Sequence, residues 1–156
     1  MPKFAIDTNV YISAFRDAAR AAELKQFLMA SLSRTSLLAV VAQELRAGVR
    51  TAAQLDAFAE VTGPFERRGR LIAPSAHAYL EAGRILADLA TKDLQRLRDL
   101  PPSFINDVMI AVSCRENGIT LITSNAKDFT TITRHLKSFA FEAPWPSSPR
   151  RKTRPR

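Results

Sequence analysis

Short apolar runs alternate with helical patterns along this chain of 156 residues. Continuously apolar runs are typical of strands that are buried on both faces of a parallel sheet. The clearest lie at residues 4–6, 37–41 and 119–123, with shorter candidates at 70–74 and near Phe141 at the edge of the sheet. The alternation predicts an α/β fold with three layers, in which helices cover both faces of a central, mainly parallel sheet.

Apolar residues at helical spacing predict the helices between these strands. The predicted helices span residues 9–15, 18–33, 51–65, 76–97 and 104–117, and one more begins at residue 42. Gly63-Pro64 and Asn117-Gly118 are interpreted as stops for two of them. Ser75 and Ser103 are interpreted as N-caps, because serine hydroxyls accept hydrogen bonds from free backbone N–H groups at helix starts.

The composition is typical of one globular domain, with 46% hydrophobic and 24% charged residues. The single cysteine, Cys114, cannot form an internal disulfide, and Cys/His pairs for a zinc site are missing, which favours a reducing compartment. Asp7 and Asn9 interrupt the apolar N-terminus early, so no secretory segment is predicted. No apolar run approaches the ~20 residues of a membrane span. We therefore expect a cytoplasmic protein without membrane contact.

Much of the net charge of +8 lies at the C-terminus. The last seven residues, RRKTRPR, carry five positive charges and follow the Pro- and Ser-containing stretch APWPSSP, which favours an extended, unpacked chain. We therefore divide the chain into a folded domain at residues 1–142 and a basic tail at residues 143–156. Such a tail can bind phosphates through counterion release, or can simply be a solvated end that aids solubility.

Three carboxylates that are distant in the sequence converge on one edge of the predicted sheet. Asp7 ends the first strand, and Glu44 lies on the opening turn of the helix after the second strand. Asp107 lies in the first turn of the buried helix that leads to the apolar run at 119–123. Because ligands of parallel α/β sheets bind outside the carboxyl ends of the strands, this edge is the predicted functional site.

Each acid also has an ordinary structural explanation. Asp7 could cap a helix, and Glu44 and Asp107 could interact with helix dipoles, although the residues that follow Asp107 are apolar. Clustered carboxylates nevertheless raise each other's pKa and destabilise the fold unless a cation joins them, and neither Asp7 nor Asp107 has a neighbouring lysine or arginine in the sequence. Oxygen ligands without histidine or cysteine suit Mg²⁺ or Mn²⁺, which can activate water and neutralise the charge on a phosphodiester.

Three segments in this order carry a family resemblance: IDTNV, VVAQELRAG and NDVMIAVSCRENGITLITSNAKDF. The chain resembles the PIN-domain nucleases over residues 3 to about 142, and among them it is most similar to the VapC-type toxins of bacterial toxin–antitoxin pairs. The resemblance implies a three-layer PIN-like fold and a Mg²⁺- or Mn²⁺-dependent endoribonuclease. The alternatives are a PIN nuclease of RNA maturation or DNA processing and a non-catalytic, nucleic-acid-binding PIN domain.

The resemblance also implies roles for individual residues. The catalytic and metal-binding acids would be Asp7, Glu44 and Asp107. The family's fourth acidic position falls on Asn125, which can still ligate a metal through its side-chain oxygen but lacks a charge, so a second metal would be held more weakly. The supporting residues would be Thr8, Asn9, Ser124 and Asp128. Asp128 could substitute for the fourth acid, but it is interpreted as a helix cap.

The expected partners follow from the same resemblance. They are an RNA substrate, a VapB-type antitoxin that blocks the acidic pocket, and a second copy of the chain in a homodimer. Four cations lie close in sequence to the proposed site and could hold phosphates: Arg16, Arg46, Arg50 and Lys127.

Overall fold

The computed structural model describes residues 1–92 and 98–146 of the chain. Five strands form one sheet in the order β3-β2-β1-β4-β5, and every neighbouring pair is parallel. The strands are β1 (Lys3–Ile6), β2 (Thr35–Leu38), β3 (Leu71–Ile72), β4 (Ile119–Ile122) and β5 (Ala140–Glu142). The predicted parallel α/β fold is confirmed, including the edge strand around Phe141.

Seven helices and one short 3₁₀ turn connect the strands within the described residues. They are α1 (Thr8–Arg16), α2 (Ala18–Ser31), the 3₁₀ turn (Leu32–Arg34), α3 (Ala39–Ala47), α4 (Ala52–Arg67), α5 (Ala76–Lys92), α6 (Phe104–Glu116) and α7 (Ala126–Thr133). In the central strand β1, consecutive residues point to opposite faces of the sheet, yet Phe4, Ala5 and Ile6 are all buried. Helices therefore cover both faces, as the three-layer prediction requires. None of the described helices combines the length and apolar character that crossing a bilayer requires.

The pairing of β1 with β4 sets the position of the polar residues that follow both strands. Ile6 lies opposite Ile122, and the backbone N–H of Asp7 donates to the carbonyl oxygen of Ile122 at 2.9 Å. Asp7 and Thr123, the next residue of each chain segment, are thus brought together at the carboxyl edge of the sheet.

Helix α6 runs through the core beside this edge. It carries a continuous buried stretch from Asp107 to Cys114, including Val108 and Val112, which have no exposed surface. It ends at Asn117-Gly118 as predicted, where Gly118 has a φ of 63°, a left-handed conformation that glycine adopts without strain.

The second strand is shorter than its apolar run suggested. It ends at Leu38, and the apolar pair Val40 and Val41, predicted as strand, lies in α3 and is buried there. A short apolar run does not distinguish a buried strand from a buried helical turn. As a consequence Glu44 is the sixth residue of α3 and lies in its second turn, so its predicted place on the opening turn is wrong.

Helix α4 continues past the predicted stop at Gly63-Pro64 and ends at Arg67. Pro64 removes one backbone hydrogen bond in the last turns of the helix. Thr62 and Phe65 on either side are buried, so packing of the last turn outweighs the lost bond.

The two predicted serine caps have different outcomes. The Ser75 hydroxyl accepts from the backbone N–H of Ala78 at 3.0 Å and caps α5, as predicted. This helix was predicted to continue to residue 97, but residues 93–97 lie outside the described part of the chain. Ser103 makes no side-chain capping bond, because it already has helical backbone angles, and its carbonyl oxygen instead accepts from the N–H groups of Asn106 and Asp107.

The start of the predicted tail packs against the domain. Trp145 stacks on Phe27 of α2, with the ring centroids 4.9 Å apart. The expectation of an unpacked stretch is therefore wrong up to this residue, because an indole buries apolar surface that an extended Pro/Ser chain would leave in water. The basic residues from Arg150 onward lie outside the described residues.

Candidate metal centre

Asp7 lies between β1 and α1, and its carboxylate accepts two hydrogen bonds. One carboxylate oxygen accepts from the backbone N–H of Thr8 at 2.8 Å, which makes Asp7 the N-cap of α1. The other accepts from the hydroxyl of Thr123 at 2.6 Å. The side chain is only 3% exposed. Asp7 is therefore both a helix cap and a buried acid at the carboxyl edge of the sheet.

Glu44 reaches this edge from α3 and is held by two side chains. The Thr8 hydroxyl donates to one carboxylate oxygen, and the amide of Asn106 donates to the other at 3.0 Å. Thr8 thus has the hydrogen-bonding part that was predicted for it. Asn106 was missed by sequence reasoning, although it is the polar residue directly before Asp107.

Asp107 lies in the first turn of α6, as predicted, and is 8% exposed. The charges that act on it come from the carboxylates of Asp7, Asp128 and Glu44. Burial raises the pKa of Asp107 most, these charges raise it further, and no hydrogen-bond donor or basic group among the described residues offsets the effect. Asp107 is therefore a buried acid surrounded by other acids.

Asn125, and not Asp128, is the N-cap of α7. The side-chain oxygen of Asn125 accepts from the backbone N–H of Asp128 at 3.4 Å. Its amide donates to the Asp128 carboxylate at 2.9 Å. The cap prediction for Asp128 is wrong because α7 begins at Ala126, which places Asp128 inside the first turn. There the Asp128 carboxylate is buried and raises the pKa of Asp107.

The remaining supporting residues connect the segment after β1 with the segment after β4. The side-chain oxygen of Asn9 accepts from the backbone N–H of Ser124 at 3.4 Å. Thr123, which was not predicted, donates to Asp7 and accepts from the backbone N–H of Asn125 at 2.9 Å. The sequence could have indicated Thr123, because this hydroxyl residue directly follows β4 just as Asp7 directly follows the neighbouring strand β1.

The PIN domain model matches residues 4–134. The chain belongs to the PIN domain family. PIN domains are a family of nucleases, and the match covers β1 to α7, including the buried acids Asp7, Asp107 and Asp128 and the half-buried Glu44.

Several solved structures share the fold of this chain. A DNA-bound VapBC from Salmonella typhimurium matches with a TM-score of 0.68 and 24% identity, over 92% of this chain and 98% of that one. VapBC2 from Rickettsia felis, bound to a promoter DNA fragment, matches with a TM-score of 0.64 and 18% identity, over 92% and 98%. FitAcB from Neisseria gonorrhoeae matches with a TM-score of 0.60 and 19% identity, over 88% and 95%. Among curated proteins, none matches the chain significantly.

The donor set of this PIN domain fits a hard divalent cation. Burial raises the pKa of Asp7 to about 6, and the Glu44 charge adds to the effect. Burial and then the charges of Asp7, Asp128 and Glu44 raise the pKa of Asp107 to about 7. A divalent cation would reverse this repulsion, and oxygen ligands suit Mg²⁺ or Mn²⁺. Within the described part of the chain, no three His, Cys, Asp or Glu side chains already stand close enough to hold an ion.

The four cations predicted to bind phosphate have different surroundings in the structure. Arg16 lines a groove of about 370 Å³ together with Glu44. Arg50 donates to backbone carbonyl oxygens within three residues of itself, one of them 3.0 Å away. Arg46 on α3 and Lys127 on α7 are exposed. None of the four affects the pKa of Asp7 or Asp107, so their contact with phosphate stays a prediction.

The raised pKa values predict how the stability of the metal-free protein depends on pH. Asp7 and Asp107 bind protons more tightly in the folded than in the unfolded chain, because their folded pKa values are about 6 and about 7 against 3.8. The free energy of unfolding should therefore fall as the pH rises from about 4 to about 7, by an amount on the order of several kcal/mol. Urea unfolding with chelator present, at several pH values, measures this.

Asp107→Asn is the matched control for this pH dependence, because it removes the group with the higher pKa. The decrease in stability should be clearly smaller in this variant, and Mg²⁺ should stabilise the wild-type protein more than the variant at pH 8. Equal pH dependence in the two proteins would contradict the electrostatic account.

Proposed function

We propose that this PIN domain is a Mg²⁺- or Mn²⁺-dependent endoribonuclease and the toxin of a VapBC-type toxin–antitoxin pair. The observation that carries the proposal is the cluster of acids at the carboxyl edge of the sheet, whose buried members Asp7 and Asp107 are neutralised by no basic side chain of the described residues. Acids of this kind are costly to keep in a fold unless they serve a bound cation. In a nuclease family, the cation serves phosphodiester hydrolysis.

Asp7, Glu44 and Asp107 would hold the ion, and Asp128 would add a fourth negative charge. When bound, the ion supplies an activated water and neutralises charge on the phosphodiester. Thr8 and Asn106 hold the Glu44 carboxylate in place, and Thr123 holds that of Asp7. These bonds would set the orientation of the Asp7 and Glu44 carboxylates before substrate arrives, which reduces the reorganisation needed for catalysis.

Asn125 would act on the site through Asp128 rather than as the fourth ligand itself. Its side-chain oxygen caps α7 and its amide group binds the Asp128 carboxylate. The weaker metal binding that Asn125 suggested in the sequence is therefore offset by a neighbouring carboxylate one helical turn away.

The proposed partners follow from the structural neighbours, which are VapBC and FitAB complexes. We propose that a VapB-type antitoxin binds this chain and blocks the acidic edge. We also propose that the toxin acts on RNA in the cytoplasm and forms a homodimer. Arg16 would contribute to phosphate binding, because it shares its groove with Glu44.

The main test of the proposal removes one charge from the site. Asp107→Asn keeps the size of the side chain but removes a metal-binding carboxylate. Ribonuclease activity should therefore fall at least about 100-fold, which exceeds the usual loss when a residue that only orients a metal ligand is replaced. Folding should survive, because the substitution relieves repulsion. A nuclease assay with Mg²⁺ or Mn²⁺ and a thermal melt of the same preparation measure both effects.

The matched control is Asp56→Asn, an equivalent change at an exposed position of α4. It should leave activity unchanged. Full activity in folded Asp107→Asn, or wild-type cleavage that continues in chelator, would contradict the proposal.

A second test distinguishes the contributions of Asp128 and Asn125 to metal binding. Asp128→Asn removes the charge, so we expect metal affinity to fall about tenfold. Asn125→Ser keeps a side chain that can cap α7 and should change metal affinity much less. Calorimetric titration with Mn²⁺ gives both affinities. A larger loss in Asn125→Ser than in Asp128→Asn would mean that Asn125 is the ligand.

A further inference from the structure

A cavity of about 320 Å³ opens beside the acidic edge, between α1, α2 and the segment that follows β5. Its lining mixes an aromatic ring, hydroxyls and both signs of charge, in the side chains of Ser13, Arg20, Glu23, Ser124 and Trp145. It is separate from the groove that contains Glu44. None of the residues predicted for metal binding lines it.

Trp145 is the fixed wall of this cavity. One ring face stacks on Phe27 at an interplanar angle of 24°, and Phe27 in turn packs edge-on against Phe4 of the central strand. The indole N–H donates to the Glu23 carboxylate at 3.3 Å. Trp145 lines the cavity but Phe27 does not, so the indole face that stacks on Phe27 is turned away from the cavity. The ring is thus held by a stack and a hydrogen bond, and Trp145 lines the cavity.

The cavity adjoins the residues that hold Asp7. Ser124 lines it and directly follows Thr123, whose hydroxyl binds the Asp7 carboxylate. Val10 also lines it, and its backbone N–H donates to the carbonyl oxygen of Asp7 at 3.1 Å. A strand with a phosphate at Asp7 would therefore have a neighbouring nucleotide beside the cavity.

The lining suits a nucleobase. Proteins that bind single-stranded RNA take up unstacked bases on aromatic side chains and arginine planes and contact the base edges with polar groups. Here Trp145 supplies the aromatic surface, Arg20 a guanidinium, and Ser13 and Ser124 hydroxyls that can donate or accept. The volume is at the lower end of small-molecule sites, which suits a single base better than a peptide helix.

We propose that this cavity is a nucleobase subsite for the RNA strand, with Trp145 as its stacking platform. The proposal rests on the proposed ribonuclease function and deepens it, because it assigns the recognition of one base to residues that do not hold the metal. The subsite would affect substrate binding and the choice of cleavage site, while hydrolysis would depend on the acids.

Trp145 is the only tryptophan in the chain, so its fluorescence reports on the cavity directly. The experiment uses full-length Asp107→Asn protein with hexamers of A, C, G or U, at concentrations where fluorescence anisotropy of labelled RNA shows saturation. Stacking of a base should shift or quench the tryptophan emission for at least one hexamer. An abasic oligomer of the same length and charge should leave the emission unchanged. Saturated binding without any change in emission would overturn the subsite, and so would an equal change with the abasic oligomer.

A second variant tests the subsite without touching the reporter. Ser13→Leu, in an otherwise wild-type chain, adds bulk to the cavity wall and should raise KM for RNA about tenfold, the scale of one base–aromatic contact, with kcat retained. Ala30→Leu adds similar bulk at an exposed position of α2 that does not line the cavity, and should change neither constant. Trp145→Phe should lie between Ser13→Leu and wild type. An unchanged KM in folded Ser13→Leu would overturn the subsite.

The two proposals fail in different ways. A wild-type protein that cleaves no RNA would overturn the ribonuclease function. A wild-type protein that cleaves RNA, together with unchanged tryptophan emission in the saturated Asp107→Asn complex, would overturn the subsite alone.

Discussion

The parallel pairing of β1 with β4 is the interaction on which the rest of the site depends. It places Ile6 opposite Ile122 and so brings Asp7 and Thr123 together where the strands end. A slip of one residue would turn the side chains of β1 to the opposite faces of the sheet and move Asp7 away from its partner. The buried faces of β1 prevent such a slip, because Phe4, Ala5 and Ile6 are all packed. The hydrophobic core therefore fixes the geometry of the acids.

The acids in turn work against the stability of the fold. Burial and mutual repulsion hold the pKa of Asp7 near 6 and that of Asp107 near 7, so their ionised forms are unfavourable in the metal-free protein. Hydrogen bonds from Thr8 and Asn106 orient the Glu44 carboxylate, and one from Thr123 orients that of Asp7, without neutralising either. This is the pattern expected where local stability is reduced for function, and a divalent cation is the simplest species that would relieve it.

The sequence predicted the sheet and the three main acids because both depend on strong, local signals. Apolar runs identify central strands, and strand ends identify the edge where a ligand binds. It could not set the boundary between β2 and α3, since Val40 and Val41 suit either structure. It also missed Asn106 and misread Asp128, because the partners of these side chains are set by how α6 and α7 pack. Trp145 packs on Phe27, which is far away in the sequence, and a contact of this kind cannot be predicted from a local sequence pattern.

The central claim is that the carboxylates of Asp7, Glu44 and Asp107 together hold a divalent cation. The most direct measurement is anomalous diffraction from crystals of the wild-type protein soaked in Mn²⁺, compared with crystals kept in chelator. The account predicts an anomalous peak in direct contact with the Asp7 and Asp107 carboxylates, which move closer together than in the metal-free crystal. No peak at this edge of the sheet, with the Mn²⁺ bound elsewhere or not at all, would contradict it.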